Sequence, residues 1–282
     1  MAFPIDHILA DLKQALQDHA NVVVIAPPGA GKTTQIPLAL LKEAWLQGLK
    51  IIMLEPRRIA ARAVARYMAG LLQEKVGQTV GYRVRFDTKV SSATKLEIVT
   101  EGVLTRMLQA DPSMEGIGLI IFDEFHERNL QADLGLALCL QSQEILREDL
   151  KILVMSATLA AESVAALLAA PVIESEGKAY PVEMLYAGSF SIQNIEQAVT
   201  QMILKAIRQY SGNILVFLPG VGEIRRVEKS FMQANPDHAT RVVPLHGSLS
   251  SEQQDFALQP LGSGLRKVVL ATSIAETSLT VE

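Results

Sequence analysis

Asn21-Val22-Val23-Val24-Ile25-Ala26-Pro27-Pro28-Gly29-Ala30-Gly31-Lys32-Thr33-Thr34 reads as a short strand, a turn rich in proline and glycine, and the start of a helix. Gly29 and Gly31 let the backbone curl so that successive N–H groups face phosphate oxygens, where a side chain would obstruct. The helix that begins near Gly31 adds the positive end of its dipole. Lys32 is placed to set an ammonium on the β- and γ-phosphates of a nucleotide, and the Thr33 hydroxyl to ligate Mg²⁺. Ala30 and Thr34 complete the expected nucleotide-binding set. The usual phosphate loop opens on Gly where this chain has Ala26; Gly31-Lys32-Thr33 fits the pattern.

A second segment, Ile120-Ile121-Phe122-Asp123-Glu124-Phe125-His126, is an apolar strand that ends in two acids. Asp123 is the expected Mg²⁺ ligand, and Glu124 the group that orients or deprotonates the attacking water. Neighbouring residues at a strand end point to different sides, so one acid can face the metal and the other the water. Taken alone the pair is a weak signal. It gains force from the phosphate loop upstream, because ligands gather at the carboxyl ends of strands in open α/β sheets.

Outward from these segments the chain alternates. Val22–Ile25, Ile51–Leu54, Leu96–Val99, Leu119–Phe122 and Ile152–Met155 are β-prone runs. Leu38, Leu41, Trp45 and Leu49, and Leu134, Leu138, Gln141 and Ile145, show helical spacing, with Gln141 a polar break. This predicts βαβ units and a mostly parallel sheet. The pattern falters over 170–186, at Pro171, Gly177 and Pro181. It restarts with helices at Ile195–Arg208, Val221–Met232 and Glu252–Leu258, and strands at Ile214–Leu218, Arg241–Leu245 and Lys267–Ala271. A boundary near residue 178 divides the chain into lobes 1–178 and 179–282. The length of 282 residues suits about two domains.

Composition narrows the function classes. With 26 basic and 30 acidic side chains the net charge is −4, so any nucleic-acid surface must be local. The one cysteine, Cys139, excludes a disulfide framework and a cysteine-based zinc site, and its leucine neighbours place it in a core. His7, His19, His238 and His246 have no metal-ligand spacing. No apolar run approaches the ~20 residues that span a bilayer. Asp6, His7, Asp11 and Lys13 interrupt the first residues, so no secretory segment is read there. The expectation is a cytoplasmic α/β protein.

Further segments carry a resemblance. Glu55-Pro56-Arg57-Arg58 with Ala60-Ala61-Arg62, Thr100-Glu101-Gly102-Val103-Leu104, Asp123-Glu124-Phe125-His126-Glu127-Arg128 and Ser156-Ala157-Thr158 follow the phosphate loop in order. Val216-Phe217-Leu218-Pro219-Gly220, Leu245-His246-Gly247-Ser248-Leu249 and Ala271-Thr272-Ser273-Ile274-Ala275-Glu276-Thr277-Ser278-Leu279-Thr280 come next, and Gly81-Tyr82-Arg83-Val84-Arg85-Phe86 also matches. Together they resemble the DEAH/RHA family of superfamily 2 helicases. Phe125, where Ala is usual in the family, is similar to its bacterial HrpB-type branch.

The resemblance implies two tandem RecA-like lobes that hydrolyse ATP, and other NTPs too, with Mg²⁺, and that move along single-stranded RNA or DNA. RNA rather than DNA rests on the resemblance alone. Lys32, Asp123, Glu124 and His126 would be catalytic, and Ser278 and Thr280 would approach the nucleotide. His126, by itself as readily structural, would link the nucleotide site to Ser156 and Thr158 through their hydroxyls. Arg57 and Arg58 would meet the nucleic-acid backbone. Thr100, Glu101 and Gly102, at a helix start, suit contacts to a phosphate, as do Thr272 and Ser273 in the second lobe. Arg62 and Arg66, judged alone, read as a solvated helix face; a base contact from Phe256 or Leu258 stays open. The family's arginine-bearing motif VI should follow, but the sequence ends at Glu282. A fragment is therefore expected, with a second lobe short of its last strands, reduced solubility and weak turnover. A truncated binder of NTP and RNA is one alternative. A phosphate-loop enzyme of another class is a second, against which the later segments speak.

Overall fold

The structure is a computed structural model that describes residues 3–158, 162–176, 181–188, 195–234, 239–259, 261–262 and 264–273. Ser278 and Thr280 lie outside the described residues. The chain forms two compact units, Met1–Tyr180 and Pro181–Glu282.

In the first unit, helix α1 (Leu9–Asp18) leads to strand β1 (Asn21–Ile25), helix α2 (Lys32–Leu40) and strand β2 (Lys50–Leu54). Helix α3 (Arg58–Leu71), a hairpin of β3 (Val80–Val84) and β4 (Asp87–Lys89), strand β5 (Leu96–Val99) and helix α4 (Glu101–Ala110) follow. Strand β6 (Ile117–Phe122), helix α5 (Leu130–Ile145), strand β7 (Lys151–Ser156), helix α6 (Glu162–Leu168) and strand β8 (Val172–Glu174) complete the unit. Among the described residues these strands form one eight-stranded sheet, ordered β4-β3-β5-β2-β6-β7-β1-β8. Every pairing is parallel except that of β3 with β4.

The strands lack polar alternation because both faces are covered. Val22 and Val24 of β1 enter one apolar layer with α1, α2 and α3, whereas Val23 and Ile25 enter the opposite layer with α4, α5 and α6. Ile51 and Met53 against Ile52 and Leu54 divide in the same way. Period-two alternation therefore serves two cores instead of a core and solvent. The three-layer arrangement brings the carboxyl ends of β1, β2, β5, β6 and β7 to one edge.

The second unit contains α7 (Ile195–Gln209), β9 (Ile214–Phe217), α8 (Val221–Ala234), β10 (Thr240–Leu245), α9 (Ser251–Leu258) and β11 (Arg266–Ala271). Its described strands form a parallel sheet ordered β10-β11-β9. Ile203, Ile224, Val227 and Phe231 pack on one face and Ala257 on the other. Lys267 is fully buried in β11, and its Nζ donates to Ala257 O at 2.9 Å and also to Gln259 O, closing the last turn of α9.

Three sequence expectations change. The spacing of Leu38, Leu41, Trp45 and Leu49 is not one helix: α2 ends at Leu40, a short 3-10 turn spans Ala44–Leu46, and Gln47 and Gly48 at positive φ turn the chain into β2. The stripe Leu134, Leu138, Gln141 and Ile145 lies on α5, but Leu134 and Ile145 are exposed and the buried side is Ala132, Gly135, Leu136, Cys139 and Gln143. Within the faltering stretch 170–186, Val172–Glu174 pairs with β1 as an edge strand.

Candidate functional site

The phosphate loop bridges β1 and α2. Gly29 and Gly31 have φ of +78° and +92°, which a side chain would strain, and a Cβ on Gly31 would meet the Phe3 ring at 3.0 Å. Gly31 caps α2, and Ala30 N–H bonds Pro27 O. The loop is braced from two sides. Ile5 N–H donates to Ala30 O at 3.1 Å, and Ala26 N–H donates to Ser156 O at 3.0 Å.

Lys32, only 5% exposed, reaches across to the end of β6, where Nζ lies 2.8 Å from Glu124 Oε1. Burial opposes its charge, yet Asp123, Glu124 and Glu55 together hold its pKa above the ordinary lysine value. Asp123 is buried; Oδ1 accepts from Glu124 N–H at 2.8 Å, while Oδ2 is buried with no hydrogen-bond partner. Burial, then the Glu124 charge, push the Asp123 pKa up to about 6 against the pull of Lys32 and the nearby Thr33 hydroxyl. A buried carboxylate oxygen with no donor, next to a threonine hydroxyl, is the chemistry that a hard divalent cation satisfies, so Asp123 and Thr33 fit Mg²⁺. Thr34 is half-buried on the first turn of α2.

Glu124 has φ +50°, a left-handed backbone rare outside glycine, and from there the chain enters a 3-10 turn over Phe125–Glu127. Phe125 fills the core beneath, edge-on to Phe122 with ring centroids 6.0 Å apart. His126 is thereby set between two segments: Nε2 faces Glu124 Oε2 at 3.4 Å, and Nδ1 accepts from Ala157 N–H at 3.2 Å. This replaces the expected hydroxyl link. The Ser156 hydroxyl turns instead to Thr158, donating to its carbonyl at 3.1 Å and accepting from its N–H at 3.3 Å.

The expected nucleic-acid residues gather on neighbouring strand ends. Arg57 caps α3 behind β2 and lies 3.5 Å from Glu127 Oε2; Arg58 is exposed on the first turn. Thr100 is the buried cap of α4 behind β5, and Gly102 has open space where a side chain would be. Burial and the Glu127 charge raise the pKa of Glu101. Arg62 is not a solvated cation: it is largely buried, 3.4 Å from Asp87, which also accepts from the Tyr82 hydroxyl at 2.9 Å. In the second unit, Thr272 N–H donates to Leu245 O at 3.2 Å, and Ser273 is exposed beyond β11.

Several residues at this edge escape the sequence reading as site residues. Glu55 is buried at the end of β2 and adds to the field at Lys32. Phe86, 88% exposed at positive φ, tops the β3–β4 hairpin with the Arg85 guanidinium 4.7 Å over its ring. Exposed cation and aromatic side by side were the available signal. Among the described residues no group of three or more acids, histidines or cysteines could hold a metal, and no helix is long and apolar enough to cross a membrane.

Comparison with known proteins follows the same division. Residues 9–167, more than half of the chain, match the DEAD/DEAH box helicase model, and residues 195–282 match the helicase conserved C-terminal domain. The chain is 51% identical over 282 residues to the ATP-dependent RNA helicase HrpB of Escherichia coli (strain K12), covering 100% of this chain and 35% of that protein. An ATP-dependent RNA helicase HrpA homolog of Haemophilus influenzae is 36% identical over 99% of this chain and 22% of its own length. The crystal structure of the Escherichia coli DEAH/RHA helicase HrpB superposes with a TM-score of 0.91 at 50% identity, over 99% of this chain and 36% of that one. The chain thus spans about a third or less of the length of these relatives.

Proposed function

The chain belongs to the DEAD/DEAH box helicase family, in its DEAH/RHA group, and from that premise we propose that it is the ATP-driven motor core of an RNA helicase. The supporting observation is the buried Asp123 Oδ2, set beside Lys32 and Glu124 at the same sheet edge as Arg57 and Thr100. We assign nucleotide chemistry to residues 1–178, with backbone contacts from both 1–178 and 179–282. A cytoplasmic setting belongs to the same reading.

Phosphoryl transfer needs charge neutralisation and a placed water more than covalent help. Backbone N–H groups of 29–34 hold the phosphates. Lys32 leaves Glu124 for the β- and γ-phosphates, which frees the Glu124 carboxylate to orient the water and take its proton. His126, held through Nδ1 by Ala157 N–H, fixes the other Glu124 oxygen. Asp123 and Thr33 would hold Mg²⁺, which would neutralise phosphate charge when bound. Thr34 and Ala30 shape the loop, and Ser278 and Thr280, outside the described residues, keep the nucleotide-binding role that the family resemblance implies. Arg57, Arg58, Thr100, Glu101 and Gly102, with Thr272 and Ser273, take the sugar-phosphate backbone, so sequence preference is weak. Acceptance of NTPs besides ATP belongs to the same family reading.

The test is NTP hydrolysis by the purified chain with and without single-stranded RNA, beside Lys32→Ala. RNA-stimulated turnover that falls ~10²-fold or more in the variant is expected. Turnover indifferent to RNA and DNA would move the chain to another class of phosphate-loop enzyme.

A further inference from the structure

Arg57 leads out of β2, the strand that lies between β5, which carries Glu101 into α4, and β6, which carries Glu127 in the following turn. The guanidinium is paired with Glu127 at 3.5 Å, both side chains being about a fifth to a quarter exposed. Glu127 Oε1 and Glu101 Oε1 are buried without a hydrogen-bond partner, and the two carboxylates feel one another's charge. The pair with Arg57 therefore offsets a local excess of negative charge.

Glu127 is mechanically tied to the chemistry. Its N–H donates to Glu124 O at 3.0 Å, closing one 3-10 turn that contains His126, and left-handed residues Glu124 and Arg128 flank that turn. Glu127 thus shares one short hydrogen-bonded turn with Glu124 and His126. A phosphate that takes two parallel N–H groups of Arg57 competes with the single long contact to Glu127. Once Arg57 turns away, Glu127 is left half-buried beside Glu101 with no countercharge, a state that is relieved by moving outward.

We propose that the Arg57–Glu127 ion pair is a latch: a nucleic-acid phosphate competes with Glu127 for Arg57, and release of Glu127 repositions the turn that carries Glu124 and His126. Glu127 is then a positioning residue that couples the two ligands. This rests on the reading that Arg57 meets the nucleic-acid backbone.

The experiment measures the Kd of the full 282-residue chain for a labelled single-stranded oligoribonucleotide, with and without Mg²⁺ and a non-hydrolysable ATP analogue. The ratio of the two Kd values is the coupling between sites. Glu127→Gln is expected to tighten nucleotide-free RNA binding roughly two- to fivefold and to bring the ratio close to one. Asp149→Asn also removes one carboxylate charge and breaks an ion pair, that with Arg147, without releasing Arg57, so it leaves the ratio at the wild-type value. Glu127→Asp keeps a carboxylate and retains most of the coupling, which separates the latch from a folding defect. A wild-type ratio in Glu127→Gln, or equal changes in Glu127→Gln and Asp149→Asn, overturns the latch alone. A wild-type chain that binds no RNA overturns the functional reading and the latch together.

Discussion

Asp123 shows how a single buried group carries a site's requirement in its own energetics. An unfolded aspartate titrates near 3.9, whereas in the fold it titrates at about 6. Between those values the folded chain holds a proton that the unfolded chain has released, so this residue's contribution to stability falls as pH rises through the window. A cation on Oδ2 removes that penalty. Mg²⁺ is therefore expected to raise the Tm more at about pH 7.5 than at about pH 5. Asp123→Asn should raise the metal-free Tm at the higher pH and abolish the response to Mg²⁺; thermal melts of both proteins check this. At this scale the site is legible in the sequence where chemistry is local. Gly29, Gly31, Lys32 and Thr33 declare a phosphate loop between strand and helix without help from the rest of the fold. The partner of His126 is not legible, because the donor is the Ala157 backbone N–H. A main-chain group leaves no trace in residue type.

Helices and strands are legible to the extent that one pattern serves one surface. The parallel strands stand out because both their faces are apolar. Helix α5 is found in the right place with Cys139 in its core, but the spacing alone does not pick its inward side, since leucines occur around most of its circumference. Its buried side is chosen by close approach: a Cβ on Gly135 would lie 3.3 Å from Leu104 Cδ2 and 3.6 Å from Phe122 Cε1, so only the glycine side lets α4 and the sheet come near. The short strands β4 and β8 have three residues each, too few to show a period. Lys267 is another residue whose role only the assembled element reveals. Its ammonium caps carbonyls at the end of α9 from within a strand. Lys267→Met preserves the volume and leaves those carbonyls without a donor, which should destabilise the second unit by about 1–2 kcal/mol. Urea unfolding followed by probes in that unit would register it.

For the molecule as a whole, the two units differ in how completely their sheets are enclosed. In the first, all six residues of β6 and four of the five in β1 are buried; in the second, β9 alternates half-buried with exposed positions, among them Leu215 and Phe217. Exchange protection follows enclosure. Amides of residues 22–25 and 117–122 should outlast those of 214–217 in native-state hydrogen exchange, and the reverse order would contradict the enclosure argument. The brace on the phosphate loop has a practical consequence. Phe3 packs on Gly31 and Ile5 holds Ala30, so residues 3–5 are part of the nucleotide site's scaffold. A purification tag or fluorescent fusion joined ahead of Phe3 would be anchored almost directly to the loop, and assays of nucleotide affinity are better served by leaving that end of the chain unmodified.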